Sequence, residues 1–125
     1  MNRKIVFVAE FTAWLDAQSF QTKAKIAGEL KTLQERGPAL GRPQVGKINR
    51  SSVTNLKELR VQVGGSPFRL FFAFDANRQA VILCGGDKTG DKRFYDHMIP
   101  IAESLFKRHK KELEKSRKPQ KGNSP

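Results

Sequence analysis

The chain has 125 residues, of which 38% are hydrophobic and 29% charged, and this balance predicts one soluble globular domain rather than a disordered chain. Its single cysteine, Cys84, excludes an intrachain disulfide. The longest early apolar run, Ile5–Ala9, is too short to span a membrane and lacks the layout of a signal peptide. These features predict a cytoplasmic protein that makes no contact with a membrane.

The charge of the chain is strongly positive, with 24 Lys and Arg against 12 Asp and Glu and a net charge of +12. Eight of the basic residues and two of the acidic ones lie between Lys107 and Pro125, so half of the excess belongs to the preceding part. A field of this sign attracts polyanions, and nucleic acid is the leading predicted partner. An acidic protein is the alternative partner.

The first third of the chain predicts one strand followed by two helices. Arg3–Ala9 is rich in β-branched residues and predicts a strand, and Phe11–Gln18 predicts a short helix. Ser19–Arg36 predicts an amphipathic helix with Ser19 as its N-cap. Its predicted inward residues recur at helical spacing: Phe20, Ala24, Ala27, Leu30 and Leu33.

The middle of the chain predicts an antiparallel meander. Leu56–Val63 alternates between apolar and polar residues, Gly64–Pro67 is a turn signal, and Phe68–Phe74 is a second strand. Ala80–Gly85 is apolar nearly throughout and predicts an internal strand. Val45–Ile48 predicts a short extended segment.

The C-terminal third predicts helix and then a tail. Asp91–Met98 is weakly helical, and Pro100 suits the first turn of a new helix that runs to about Lys115, with Ile101 facing inward. Ser116–Pro125 is polar and basic and predicts a disordered tail behind a domain of residues 1–115. The order β-α-α-β-β-β-α predicts an α+β fold with an antiparallel sheet and helices on one face.

Metal and cofactor sites have no sequence signal. Cys84, His97 and His109 are the only strong nitrogen or sulfur ligands, and no two of them have ligand spacing. The run Gly85–Gly90 lacks the spacing of a phosphate-binding loop. We therefore predict no metal and no cofactor, and Cys84 as a buried thiol.

The remaining candidate site is cationic. A three-strand meander can bring together several basic residues and the only tyrosine, namely Lys57, Arg60, Arg69, Lys88, Arg93 and Tyr95. Arginine forks suit phosphate oxygens and can neutralise charge that builds up at phosphorus. Proton transfer there would fall to Lys57, Glu58, Tyr95 or His97. Composition and spacing alone indicate only a basic α+β domain that binds a polyanion.

Several separated motifs in this sequence occur together in a known protein family. They are Gly37–Pro43, Asn55–Arg60, Phe68–Phe74, Gly85–Gly90, Phe94–Tyr95 and Ile99–Ala102. In this order, over residues 4–107, they closely resemble the HigB-like, phage-derived branch of the RelE/ParE toxin superfamily. The resemblance implies a RelE-like fold and the toxin of a type II toxin–antitoxin pair.

The resemblance also implies an activity, which is ribosome-dependent cleavage of mRNA by attack of a ribose 2′-hydroxyl on phosphorus, without metal. By position it implies the catalytic residues Lys57, Arg60, Arg69, Lys88 and Tyr95. We predict further RNA contacts at Lys92, Arg93, Lys107, Arg108 and Lys110. The implied partners are a helix-turn-helix antitoxin, mRNA and the 70S ribosome.

Two alternatives remain open at this level. A ParE-like toxin would inhibit gyrase through protein contact, and a decayed toxin would bind RNA as a translational regulator without cutting it. The run Tyr95-Asp96-His97 also departs from the Asp-Tyr-His order of some HigB toxins, which leaves the proton-transfer roles open.

Overall fold

The computed structural model describes residues 4–117, and over this range it has an α+β architecture, as predicted. The helices and strands are β1 (Ile5–Phe7), α1 (Ala9–Asp16), α2 (Phe20–Arg36), β2 (Val45–Lys47), β3 (Lys57–Val63), β4 (Ser66–Phe74), β5 (Ala80–Asp87) and α3 (Phe94–Arg117). The five strands form one sheet in the order β1-β5-β4-β3-β2. The strand predicted to be internal, β5, lies between β1 and β4.

The sheet is mixed rather than wholly antiparallel. Strands β2 to β5 pair antiparallel and confirm the predicted meander, whereas β1 pairs parallel with β5 through Val6 and Val81. A parallel pair needs a long connection rather than a hairpin. Here the chain between β1 and β5 forms α1, α2, β2, β3 and β4. The prediction of a wholly antiparallel sheet is wrong because the direction of a short edge strand depends on distant pairing.

The helices cover both faces of the sheet. A Cβ atom added at Gly85 would lie 2.8 Å from the Trp14 ring in α1, whereas one at Gly86 would lie 2.9 Å from the Phe94 ring in α3. Successive residues of a strand point to opposite faces, so α1 and α3 lie on opposite sides of β5. The prediction that all helices share one face is wrong. Consecutive residues of β4, from Leu70 to Ala73, are buried as a consequence.

Helix α2 begins as predicted, because the Ser19 hydroxyl accepts a 3.1 Å hydrogen bond from the backbone N–H of Thr22. Leu30 and Leu33 are buried, as predicted, but the first half of the inward stripe is wrong, since Phe20 is 87% exposed and Ala24 and Ala27 are also exposed. Packing against β3 buries Thr22 and Ile26 in their place. The buried residues of α2 are Thr22, Ile26, Leu30 and Leu33.

Helix α3 is one continuous helix that passes through Pro100, not two segments. Its early buried residues include Ile99 and Ala102, while Ile101 is 47% exposed and faces outward, contrary to the prediction. The helix runs through Arg117, two residues into the predicted tail, and residues 118–125 lie outside the described part. Among residues 4–117, no helix combines the length and apolar character that crossing a bilayer requires.

Candidate active site

The register of β3 and β4 brings polar side chains to the face that α3 covers. Arg60 lies directly opposite Arg69, and Glu58 lies opposite Phe71. The Phe71 ring packs against the first turn of α3, with its centroid 6.0 Å from that of Tyr95. Strands β3 and β4 therefore deliver two arginines and a carboxylate to the point where α3 begins.

Tyr95 connects α3 to this face of the sheet. Its hydroxyl donates a 2.7 Å hydrogen bond to Oε1 of Glu58. The Lys88 ammonium lies 5.3 Å from the centroid of the Tyr95 ring, within the range of a cation–π contact. Lys88 is fixed beside β4 because its backbone N–H donates a 2.9 Å hydrogen bond to the Pro67 carbonyl. The end of β5 thus adds a third cation to the group.

Glu58 lies at the centre of the group, with a side chain only 6% exposed. Its Oε2 is 3.3 Å from Nη2 of Arg60, and its Oε1 is 3.7 Å from Nε of Arg69. The Arg69 contact is longer than a hydrogen bond, so the attraction there is electrostatic. We call this group the Glu58 cluster and define it as Glu58, Arg60, Arg69, Lys88 and Tyr95.

The cations of the Glu58 cluster differ in their access to solvent. The Arg60 side chain is 38% exposed and that of Arg69 is 14% exposed, while Lys88 is half-buried. A phosphate that approaches this face would meet Arg60 and Lys88 first, with Arg69 beneath them. Two guanidinium forks and an ammonium at one place suit a phosphodiester and the charge of its transition state.

The environment of Tyr95 favours its protonated form. Burial raises the pKa of Tyr95, the hydrogen bond and the charge of Glu58 raise it further, and Arg69 opposes them with a smaller effect. Tyr95 therefore keeps its proton at neutral pH. It can serve as a proton donor, whereas the adjacent carboxylate can accept a proton.

A glycine in β2 makes room for the Arg60 guanidinium. Gly46 pairs with Glu58 across the sheet, and an added Cβ would overlap Nη2 of Arg60 and lie 3.2 Å from Oε2 of Glu58. Arg60 also donates a 3.2 Å hydrogen bond from Nη1 to the Pro43 carbonyl. Sequence reasoning missed Gly46, although a glycine inside a strand is a known signal of close approach.

Lys57 is the predicted catalytic residue that the structure separates from the others. It precedes Glu58 in β3, and strand alternation places it on the opposite face, where it pairs with Lys47 of β2. His97 follows Tyr95 by two positions in α3 and is exposed, so it lies on another face of the helix. Of the four residues considered for proton transfer, Glu58 and Tyr95 are the two in the cluster.

The predicted RNA contacts divide into two groups. Lys92 and Arg93 are exposed in the turn before α3, close in sequence to Tyr95. The other three are Lys107, Arg108 and Lys110. They begin twelve residues beyond Tyr95, which is about 18 Å along the helix axis.

One of these predicted contacts is already engaged within the protein. Arg108 donates hydrogen bonds of 2.6 and 2.7 Å to the two carboxylate oxygens of Glu10 and so connects α3 to α1. These bonds lower the pKa of Glu10 to about 2. Lys107 and Lys110 are exposed on the same part of α3. Arg108 therefore has a structural partner that the two lysines do not share.

Two further kinds of chemical group were considered in the sequence, namely the cysteine thiol and possible metal ligands. Cys84 is buried, as predicted, and burial raises its pKa to about 12, so the thiol keeps its proton. Within residues 4–117, no three His, Cys, Asp or Glu side chains lie close enough together to hold a metal ion.

Comparisons with known proteins agree with this architecture. Residues 13–107 match the model of the family described as phage-derived protein Gp49-like. HigB3, a candidate toxin of Mycobacterium tuberculosis, is 43% identical over 100 residues, which cover 79% of this chain and 86% of that protein. HigB2, a candidate toxin of the same organism, is 38% identical over 121 residues, which cover 92% of this chain but 60% of that protein.

A solved structure supports the fold alone. The free-state structure of an arginine double mutant of the Escherichia coli toxin RelE superposes with a TM-score of 0.56 at 10% identity, over 86% of this chain and 98% of that one. The element order and the sheet thus define a RelE-like domain. The chain belongs to the phage-derived Gp49-like family, and its predicted place in the HigB-like branch of the RelE/ParE superfamily is confirmed.

Proposed function

We propose that this protein is the toxin of a type II toxin–antitoxin pair and that it cleaves mRNA on the ribosome at the Glu58 cluster. The observation that carries the proposal is the convergence of Arg60, Arg69, Lys88 and Tyr95 around one buried carboxylate. The HigB-like relatives, which are named as candidate toxins, support the same reading.

The reaction is an internal transfer at phosphorus. The 2′-hydroxyl oxygen attacks the adjacent phosphorus, a 2′-O–P bond forms and the P–O5′ bond breaks, which gives a 2′,3′-cyclic phosphate and a 5′-hydroxyl. Arg60 and Lys88 bind the non-bridging oxygens. Arg69 stabilises the extra negative charge that develops in the transition state.

Proton transfer falls to the two titratable groups in contact with each other. Glu58 accepts the proton that the 2′-hydroxyl loses, and Tyr95 donates a proton to the departing 5′ oxygen. The proton on Glu58 then returns to Tyr95 along their 2.7 Å hydrogen bond, which restores both groups. The step needs no metal ion.

Binding to RNA rests on the wider positive surface. The net charge is +12, and Lys92, Arg93, Lys107 and Lys110 are exposed on or next to α3. Affinity for ribosomal and messenger RNA is therefore expected to fall steeply with salt. The natural partner is a helix-turn-helix antitoxin, and the site of action is the bacterial cytoplasm.

The test is expression in bacteria with and without the neighbouring gene, followed by mapping of RNA 5′ ends. We expect growth arrest that the neighbouring gene relieves, together with new 5′-hydroxyl ends inside translated reading frames. Intact mRNA with an induced DNA-damage response would contradict cleavage and support the ParE-like alternative. Bound but uncut mRNA would contradict it in favour of a translational regulator.

A further inference from the structure

A recess of about 470 Å³ lies between the segment before β3, the β4–β5 turn and the second half of α3. Its apolar lining includes Val53 and Phe106, which are 7% and 6% exposed. The half-buried residues Phe74 and Leu113 complete this lining. We call this feature the α3 recess.

The α3 recess and the Glu58 cluster lie at opposite ends of the sheet. Phe74 ends β4, whereas Phe68, six residues earlier in the same strand, pairs with Asp87 next to Lys88. Six residues of a strand span about 20 Å. The α3 recess is therefore a separate site that the proposed cleavage reaction does not use.

The rim of the α3 recess is positive. Lys107 and Lys110 line it, are exposed, and lie on the same side of α3 at a spacing of three residues. The Asp75 carboxylate is fully buried and lies 2.9 Å from Nε2 of His109, so it is already paired. Within residues 4–117 the lining holds one more carboxylate, Glu114, which is exposed. Two ammonium groups therefore face a single exposed carboxylate.

Hydrogen bonds hold the three walls of the α3 recess together. The backbone N–H of Ser52 donates a 2.7 Å hydrogen bond to Oε2 of Glu103 in α3, which fixes the segment before β3. The contact between Asp75 and His109 joins the β4–β5 turn to the same helix. The recess is thus preorganised, which lowers the entropy cost of binding a partner there.

We propose that the α3 recess binds the antitoxin, through an apolar side chain in a segment rich in Asp and Glu. The proposal rests on the proposed function, which supplies the antitoxin as a partner. The apolar side chain packs between Phe74, Phe106 and Leu113, and the flanking carboxylates pair with Lys107 and Lys110. A buried apolar anchor within a ring of polar contacts is typical of the residues that dominate protein interfaces. The opposite charges favour encounter and fix the register of the two chains.

The apolar lining favours a protein segment over RNA. A phosphate backbone would gain from the two lysines but nothing from the walls at Phe106 and Leu113. Lys110 and Leu113 also lie beyond residue 107, where the match to the family model ends. One wall therefore belongs to the extension of this chain, which allows it to distinguish its own antitoxin from those of related toxins. Binding there would also cover Lys107 and Lys110, which the proposed function assigns to RNA.

The test is the affinity of the full-length protein for the purified protein encoded by the neighbouring gene, measured by titration calorimetry. Every toxin variant carries Arg69→Ala, which is expected to protect the expression host. We expect Leu113→Gln to weaken binding by about tenfold or more, because it removes an apolar wall without changing the charge. Lys110→Glu should weaken binding by a similar factor, because the acidic segment would then meet a carboxylate.

Two matched controls lie outside the α3 recess. Ile101→Gln changes an apolar residue of α3 that is 47% exposed, and Lys25→Glu reverses an exposed charge in α2. Both should keep the wild-type affinity, and circular dichroism checks that all four variants are folded. Unchanged affinity in either Leu113→Gln or Lys110→Glu, or an equal loss in the controls, would overturn the docking site.

A cleavage assay separates this proposal from the proposed function. Leu113→Gln without the Arg69→Ala change should cut mRNA at the wild-type rate in cell-free translation, because Leu113 lies outside the Glu58 cluster. A loss of cleavage with unchanged affinity for the neighbouring protein would overturn the proposal in favour of an RNA site. A wild type that cuts mRNA without binding that protein would overturn the docking site and leave cleavage intact. A protein that binds through Leu113 but cuts no mRNA would refute the proposed function and retain the docking site.

Discussion

The phenolic oxygen of Tyr95 lies 2.7 Å from Oε1 of Glu58, and this contact connects the first turn of α3 to β3. The same carboxylate holds the guanidinium groups of Arg60 and Arg69. One buried acidic residue thus sets the position of three side chains from three different elements. Because it also touches the proposed proton donor, its role in folding and its role in the reaction can be separated only by selective substitution.

Tyr95→Phe removes the hydroxyl and keeps the ring against Phe71. We expect the free energy of unfolding to fall by about 1–2 kcal/mol, because Oε1 of Glu58 loses a hydrogen bond inside the protein. Single-turnover cleavage should fall by about a hundredfold, since the proton donor is gone. Urea denaturation and primer extension measure the two effects. Wild-type cleavage by Tyr95→Phe would rule out the hydroxyl as the acid.

Gly46→Ala should displace the Arg60 guanidinium, because the new methyl group would occupy its position. Cleavage should fall by about tenfold or more, with little change in melting temperature. Gly41→Ala is the control, since a Cβ there has open space. In the Arg60→Ala background, Gly46→Ala should have no further effect on cleavage. An equal loss in both backgrounds would show that the glycine acts elsewhere.

Lys57→Ala and Lys88→Ala remove the same charge from opposite faces of the sheet. Lys88 lies 5.3 Å from the Tyr95 ring centroid, whereas Lys57 points away from the cluster. We expect Lys88→Ala to reduce cleavage by about tenfold or more and Lys57→Ala to reduce it by about twofold, through the general charge alone. A loss of cleavage that is larger for Lys57→Ala than for Lys88→Ala would support the catalytic role that the family resemblance implies for Lys57. It would also argue against placing Lys57 on the face of the sheet opposite the Glu58 cluster.

Asp75 links the β4–β5 turn to α3 and should contribute to acid sensitivity. Burial raises its pKa, but hydrogen bonds from His109 and Gln79 outweigh this effect, so the pKa lies below the ordinary value. A carboxyl with a lowered folded pKa stabilises the protein fully above the unfolded pKa of about 3.9. This stabilisation is lost as the pH falls through the folded pKa.

Asp75→Asn should therefore reduce the fall in unfolding free energy as the pH drops from the unfolded pKa of about 3.9 through the lower folded pKa. The comparison is Asp16→Asn, at an exposed position in α1, which should keep the wild-type acid profile. Urea titrations at each pH measure both. An identical acid profile in Asp75→Asn and the wild type would show that this carboxyl does not contribute.

Local signals in the sequence predict most elements of this fold. The N-cap at Ser19 and the turn signal at Gly64–Pro67 act within a few residues, and both elements form where they were expected. The parallel pairing of β1 and the side on which α3 packs depend on contacts between distant segments. Neither is encoded in the spacing of nearby residues, so both were predicted wrongly.

The candidate site shows the same contrast between residues that local motifs identify and positions that depend on distant segments. Motifs identified Arg60, Arg69, Lys88 and Tyr95, and the structure brings these four together. Glu58 was seen only as one possible proton carrier, because its central position depends on α3 covering that face. The alternation of β3 already assigned Glu58 and Lys57 to opposite faces, but it could not show which face would receive Tyr95.

The most direct test of the Glu58 cluster as an active site is single-turnover cleavage of translated mRNA by Arg69→Ala. Arg36→Ala, at an exposed residue of α2, is the control for the lost charge, and Arg69→Lys retains the charge without the fork. We expect cleavage by Arg69→Ala to fall by about a hundredfold, Arg69→Lys to recover part of the loss, and Arg36→Ala to match the wild type. A folded Arg69→Ala protein that cuts at the wild-type rate would contradict the account.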